Sequence, residues 1–313
     1  MDLLRALAEV NGFFTRAQAI AAGHEDKDLT TGVRHRVLIR FRRGYYTFHD
    51  LWTALDDVER HLLRLRAVLD SLGPVVAASH VSGALLHGTT TWGVPLGRVH
   101  VTRLDGGASR IEGDVVHHVG RTLGDDVVEV DGLRVLRADR CAIECGSMGT
   151  AESALVVFDS FLHSRLGSHD ELFARFEQME HWPRTRHLHV PVRMAKAGAD
   201  GPGESRGRWL FRVQGVPAPV VQFEVRAADG TLLGTTDWGW PAHGVLGEFD
   251  GRVKYGRLLR PGQEPGDVVF AEKQREDLLR EVSGSRMVRL IWDDLARPGL
   301  TGDRLRRLLR RGS

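Results

Sequence analysis

The sequence predicts a mixed α/β protein built in three parts. Three observations carry that expectation. In the first fifty residues, apolar positions recur at helical spacing and then give way to strand-like alternation. A mixed run of helices and strands fills the middle. After the Gly201-Pro202-Gly203 break the pattern changes again, to helix, three strands, helix and strand. The parts are expected at 1–50, 51–197 and 198–313, and a length of 313 residues suits two or three domains.

The first part opens with Leu3, Leu4, Leu7 and Ala8 on one helical face, ended by Gly12. Thr15 is placed to cap a second short helix, 16–22, which Gly23 stops. Asp26 or Asp28 caps a third, expected to run to Val37. Residues 38–48 then read as two short strands turning at Arg43-Gly44. Three small helices followed by a β-hairpin is the order of a winged helix-turn-helix. Lys27, Arg34, Arg36, Arg40, Arg42 and Arg43 all fall on the third helix and the wing, where contacts to DNA would be made. A solvated basic face on a small helical domain is the plainer reading of the same residues.

In the middle part an amphipathic helix is expected over 59–72, ending at Gly73-Pro74, and another over 77–86. Strands follow at 99–102, 115–119 and 127–135, the last interrupted by Asp131-Gly132. Helices are expected at 138–148 and 152–163, and a further one, capped by Ser168, through Glu180. Residues 183–197 read as a connector rich in basic residues and histidine. In the last part a helix is expected over 204–213. Strands follow at 220–225, 231–238 and 245–249. A long helix over 269–282, a strand over 287–292 and a basic helix over 303–311 complete it. Leu305, Leu308 and Leu309 should dock that last helix on the body.

Bulk composition narrows the function classes. Hydrophobic content is 42% and charged content 27%, a soluble globular profile. Net charge is only +2, so any contact with nucleic acid must come from local patches. The opening stretch lacks the apolar core of a secretory signal, and no run approaches the ~18 residues that span a bilayer. Cys141 and Cys145, four apart, read as small buried residues on one helix face, with a redox pair as the alternative. A cytoplasmic location is therefore expected, without membrane association. No P-loop, dinucleotide fingerprint or nucleophile elbow occurs, so no organic cofactor is expected. His80 and His87 read as packed or hydrogen-bonded residues, and Trp238 and Trp240 as core or rim rather than base-stacking platforms.

The acids of the last part carry the chemistry. Glu204 opens its first helix, Asp237 lies near the end of one strand, and Glu248 near the end of the next, followed by Asp250. Neighbouring strands lie ~4.8 Å apart, so Asp237 and Glu248 can converge at one sheet edge. Mg²⁺ takes one or two carboxylates with water and substrate phosphate. Turn acids and helix caps are the plainer reading of the same set.

Asp237, then Glu248-Phe249-Asp250-Gly251, with Glu204 upstream, resembles the PD-(D/E)xK nuclease superfamily. Its Vsr-like branch, with a D…E-x-D-G signature before a basic helix, is the nearest likeness. EFDGRVKYG (248–256) and EKQRED (272–277) add to it. The resemblance covers the last third of the chain. It implies an αβββαβ, restriction-endonuclease-like core and a Mg²⁺ site at Glu204, Asp237 and Glu248. In most of that superfamily a lysine follows the second acid by two positions. Here that position is Asp250, and Lys254 or Lys273 would have to supply the ammonium.

The front of the chain has its own likeness. Phe13-Phe14-Thr15-Arg16-Ala17-Gln18-Ala19, Gly23 and Arg43-Gly44-Tyr45-Tyr46 look like the winged-helix domain of AbiEi-type antitoxins. The run from Ser79 to Gly88 and Val99-His100-Val101-Thr102 are similar to the domain that follows it. That resemblance implies repression through operator DNA and opposition to a nucleotidyltransferase-type toxin. Two functions are thus expected: a double-stranded-DNA-binding regulator or antitoxin with a nuclease-like final domain, or a Mg²⁺-dependent deoxyribonuclease aimed by its winged helix; a purely structural or protein-interaction role for the last part is the third reading.

Overall fold

A computed structural model describes residues 1–122, 125–251 and 279–310. The chain divides into two compact units. One is Met1–Thr150 with Asp170–Arg186, and the other is Ala151–His169 with His187–Ser313. Among the described residues no helix is long and apolar enough to cross a membrane.

The first unit begins with α1 (Asp2–Asn11), which buries Leu4 and Ala8 and ends at Gly12 in the left-handed region, φ 85°. A side chain there would be strained and would also strike Leu63. β1 (Phe14–Thr15) leads into α2 (Arg16–Ala21) through a reciprocal cap. The Gln18 amide donates to Thr15 Oγ1 at 3.2 Å, and the Thr15 amide donates to Gln18 Oε1 at 2.7 Å. α3 (Asp26–Arg34) is capped at Glu25, whose amide donates to Asp28 Oδ2 at 2.8 Å. This helix stops at Arg34 rather than Val37, because Arg36 turns into left-handed backbone at φ 56°. β2 (Leu38–Arg42) and β3 (Tyr45–Phe48) form the expected hairpin. β1 adds a third strand that sequence reading missed, giving the antiparallel order β1-β3-β2. Leu4, Ala8, Phe14, Ala19, Leu29, Leu38, Tyr46 and Phe48 make one small core beneath these elements.

After α4 (His49–Ala54), the helix α5 (Asp57–Leu72) starts at an Asp56–Glu59 capping box. The segment expected as one helix over 77–86 is instead β4 (Val76–Ala78) followed by α6 (His80–Leu86). Ala77 and Ala78 favour a helix locally, but β4 pairs on both sides, with β5 and β9, and that pairing overrides a propensity of a few tenths of a kcal/mol. The sheet also contains β5 (Val99–Arg103), β6 (Arg110–Glu112), β7 (Val115–His118), β8 (Val127–Val130) and β9 (Leu133–Leu136). Its order is β6-β7-β5-β4-β9-β8, with parallel pairs at β4–β9 and β5–β7. β6, short and exposed, carries no sequence signal. Asp131 and Gly132 both take positive φ, as a two-residue hairpin turn demands. α7 (Ala138–Gly146) buries Cys141 and Cys145 as free thiols, and α9 (His169–Met179) presents Leu172, Arg175, Phe176 and Met179 to the interior.

In the second unit α8 (Ala151–His163) packs against α10 (His189–Met194) and α11 (Pro202–Val213). The connector expected at 183–197 therefore contains a helix. A mixed sheet follows: β10 (Val220–Arg226), β11 (Leu232–Trp240) and β12 (Val245–Phe249) run antiparallel in that order, and β13 (Arg286–Leu290) lies parallel to β12. Residues 279–283 are helical, and the rest of the helix expected over 269–282 lies outside the described residues. α12 (Trp292–Ala296) and α13 (Pro298–Arg310) close the unit. Leu210 and Phe211 of α11, Trp238, Trp240, Leu290 and the docking residues Leu305 and Leu309 share one core. α11 approaches the sheet closely because Gly203 and Gly207 face it. A Cβ at either would overlap Phe249 or Trp238.

Candidate functional site

The first fifty residues present their basic side chains unequally. Arg34 ends α3, Arg36 sits in the turn beyond it, Arg40 lies on β2 and Arg43 at the hairpin turn. All four are exposed, and none forms an ion pair or side-chain hydrogen bond among the described residues. Lys27 is also exposed and lies 3.0 Å from Glu25. Arg42 departs from the expectation. Its guanidinium is only 19% exposed and donates to Asp114 at 2.7 Å, so it is committed inside the first unit. A register shift between Arg40 and Arg42 explains the difference, because a bulge re-aims the side chains that follow it.

The acids of the second unit form a row across its sheet. β11 pairs with β12 from Trp240–Val245 to Trp238–Gly247, and the next residues outward are Asp237 and Glu248. They therefore lie side by side where the two strands begin to part. Trp238 and Trp240 fill the core on one face, so Asp237 projects from the other. Glu248 follows Gly247, which lies against both tryptophan rings, and so shares the face of Asp237. Asp237 Oδ2 accepts from the Phe249 amide at 2.7 Å, a bond that fixes the two strand ends together. On the far side the parallel register sets Glu248 beside Arg289, whose guanidinium is 3.5 Å from Glu248 and 3.8 Å from Asp250.

Glu204 joins this row indirectly. It sits on α11, on the tryptophan face, and its Oε2 accepts from the Asp200 amide at 3.1 Å and from Gln222 Nε2 at 3.4 Å. Gln222 falls between Val221, paired with Trp238, and Phe223, paired with Thr236, and so lies beside Asp237 on the next strand. Its φ of 49° is strained for a residue with a side chain. The register thus sets Asp237 beside Glu248, and Glu204 meets Gln222 of the neighbouring strand. Among the described residues no group of three or more His, Cys, Asp or Glu is arranged to hold a metal ion. A carboxylate pair suits a hard cation such as Mg²⁺, which keeps several waters, but not a zinc site. Lys254 and Lys273, the expected sources of an ammonium, lie outside the described residues. Sequence reading missed Gln222 and Arg289. Only the strand register, with Glu248 opposite Arg289, reveals the latter.

Trp238 and Trp240 are buried against Phe211, as core residues. His87 Nε2 donates to the Leu136 carbonyl at 2.8 Å, the hydrogen-bonded role expected of it. His80 is packed, as expected, and stacks on His118 within a group of histidines in the first unit. The chain matches no protein-family model and no curated protein.

Proposed function

We propose that the chain is a DNA-binding regulator of the AbiEi antitoxin type, with a nuclease-like final domain that adds DNA or partner contacts. The observation that supports this reading is the set of four exposed guanidiniums, unpaired among the described residues, at Arg34, Arg36, Arg40 and Arg43, on the end of α3 and the β2–β3 hairpin. Those are the elements that meet duplex DNA in a winged helix, and guanidiniums are suited to bidentate bonds with phosphate. A cognate nucleotidyltransferase-type toxin would be the partner opposed. The test is a mobility-shift titration of the full chain on its own promoter fragment. Retardation that weakens as salt rises is expected, and no shift at low salt would overturn the reading.

A second reading, a Mg²⁺-dependent DNA endonuclease, is favoured by one observation. Asp237 and Glu248 sit side by side where β11 and β12 part. Those two residues would hold the ion. Bound Mg²⁺ supplies an activated water and stabilises charge on phosphate. Arg289, 3.5 Å from Glu248 and 3.8 Å from Asp250, offsets only part of the local negative charge, which leaves room for a cation. Cleavage of plasmid DNA with Mg²⁺ or Mn²⁺, abolished in Asp237→Asn, would favour this reading. Retardation without cleavage would favour the regulator.

A further inference from the structure

The parallel register of β5 and β7 pairs His100 with Val116 and Thr102 with His118. Alternate residues of a strand share a face, so these four side chains line one surface while Val99, Val101 and Val115 fill the interior. All four border a cavity of about 730 Å³ within the first unit. That size falls in the ~300–1,000 Å³ range of small-molecule sites.

The cavity has a built polar floor. His80 stacks on His118 with ring centroids 3.6 Å apart, and His100 Nδ1 lies 2.9 Å from His118 Nε2. Glu144, on α7, accepts from the His80 amide at 3.1 Å and from Arg140 Nε at 2.9 Å. Arg140 is in turn bonded to Asp126 at 2.7 Å and lies against the Trp182 ring. The Arg140 charge is therefore balanced by two carboxylates. Burial, together with the neighbouring imidazoles, pushes His100 down to about 3 and His118 down to about 4, so both rings are neutral at pH 7. Burial alone would raise the Glu144 carboxyl, but His80 and Arg140 outweigh it and hold it at about 2. His80 takes a left-handed backbone at φ 52°, a strain that tends to gather at ligand sites.

Two features of this cavity call for a ligand. Thr102 lines it and is 1% exposed, yet among the described residues its hydroxyl has no hydrogen-bond partner. At the rim Arg98 and Arg184 are exposed, and neither guanidinium is paired among the described residues. Met148, Met179 and Trp182 supply apolar wall between rim and floor.

We propose that this cavity binds a small anion with a flat apolar body. Arg98 and Arg184 meet the anionic group, Thr102 meets a polar edge, and the imidazole stack and Trp182 flank the ring. The same chemistry is offered by a nucleoside monophosphate and by an aromatic carboxylic acid. Isothermal titration of the full chain with adenosine monophosphate and with salicylate separates these sources, and adenosine and inorganic phosphate test body and head alone. One flat anion should saturate a single site with a Kd below about 1 mM. Its affinity should fall about tenfold or more in Arg98→Ala and Arg184→Ala, the size of a lost charge-assisted hydrogen bond. Thr102→Val, which keeps the shape, should also weaken it. Both arginines are exposed, so these variants should fold. Failure of both flat anions to saturate by about 10 mM, or binding indifferent to all three substitutions, would overturn the proposal.

Discussion

Lowering the pH from 7 to 5 should destabilise the first unit through His100 and His118. Their folded-state values, about 3 and about 4, lie well below the 6.5 of a free imidazole. The unfolded chain therefore binds protons that the folded chain refuses. Stability is intact above pH 6.5 and is lost as pH falls from there toward 4 and then 3. At pH 5, about 1.5 pH units below the free imidazole, each ring costs about 2 kcal/mol at about 1.36 kcal/mol per pH unit. The pair together should cost at most about 4 kcal/mol, since they share one hydrogen bond. His61, His87 and His117 are shifted in the same direction by burial and add to the trend. Hydrogen exchange of the β5 and β7 amides across pH 5–7, corrected for intrinsic rates, isolates the first unit. In the double variant His100→Gln, His118→Gln the loss should shrink by the pair's share. Equal protection at pH 7 and 5, or a loss of the same size in the variant, would refute the reasoning.

Three further perturbations test the fold and the role of Arg42. Gly207→Ala puts a methyl group into Trp238 and should cost about 1–3 kcal/mol in urea unfolding of the second unit; a neutral change would mean that α11 sits loosely on the sheet. Asp159, fully buried, accepts from Arg208 at 2.6 Å and from the Lys196 amide. Asp159→Ala should cost about 3–5 kcal/mol by stranding the guanidinium, and Asp159→Leu with Arg208→Met should recover much of it; no recovery would place the cost elsewhere. Arg42→Ala should leave DNA affinity nearly unchanged, whereas Arg40→Ala should weaken it, as measured by fluorescence anisotropy. An equal loss in both would contradict the commitment of Arg42 to Asp114.

Much of this architecture is legible from local signals. Gly12 and Gly23 end helices because a left-handed residue is needed there, and Thr15–Gln18 is a cap that can be read directly. The Asp131-Gly132 turn is equally local. What escapes is set by tertiary pairing. β4 looks like the start of a helix until β5 and β9 claim its backbone on both sides. The site divides in the same way. Asp237 and Glu248 can be found from sequence because two strands and a short turn bring them together. Arg289, forty-one positions beyond Glu248, enters only through a parallel pairing that no local pattern announces. The histidine group is hidden for the same reason, since His80, His100 and His118 come from three separate elements.

The claim that the front of the molecule grips the DNA backbone is tested most directly by its salt dependence. Log affinity for a promoter duplex should fall linearly with log salt. Replacing Arg34, Arg36, Arg40 and Arg43 with alanine should flatten the slope by about 3.6, or ~0.9 for each phosphate no longer neutralised. A variant that keeps both the affinity and the slope of the parent chain would contradict it.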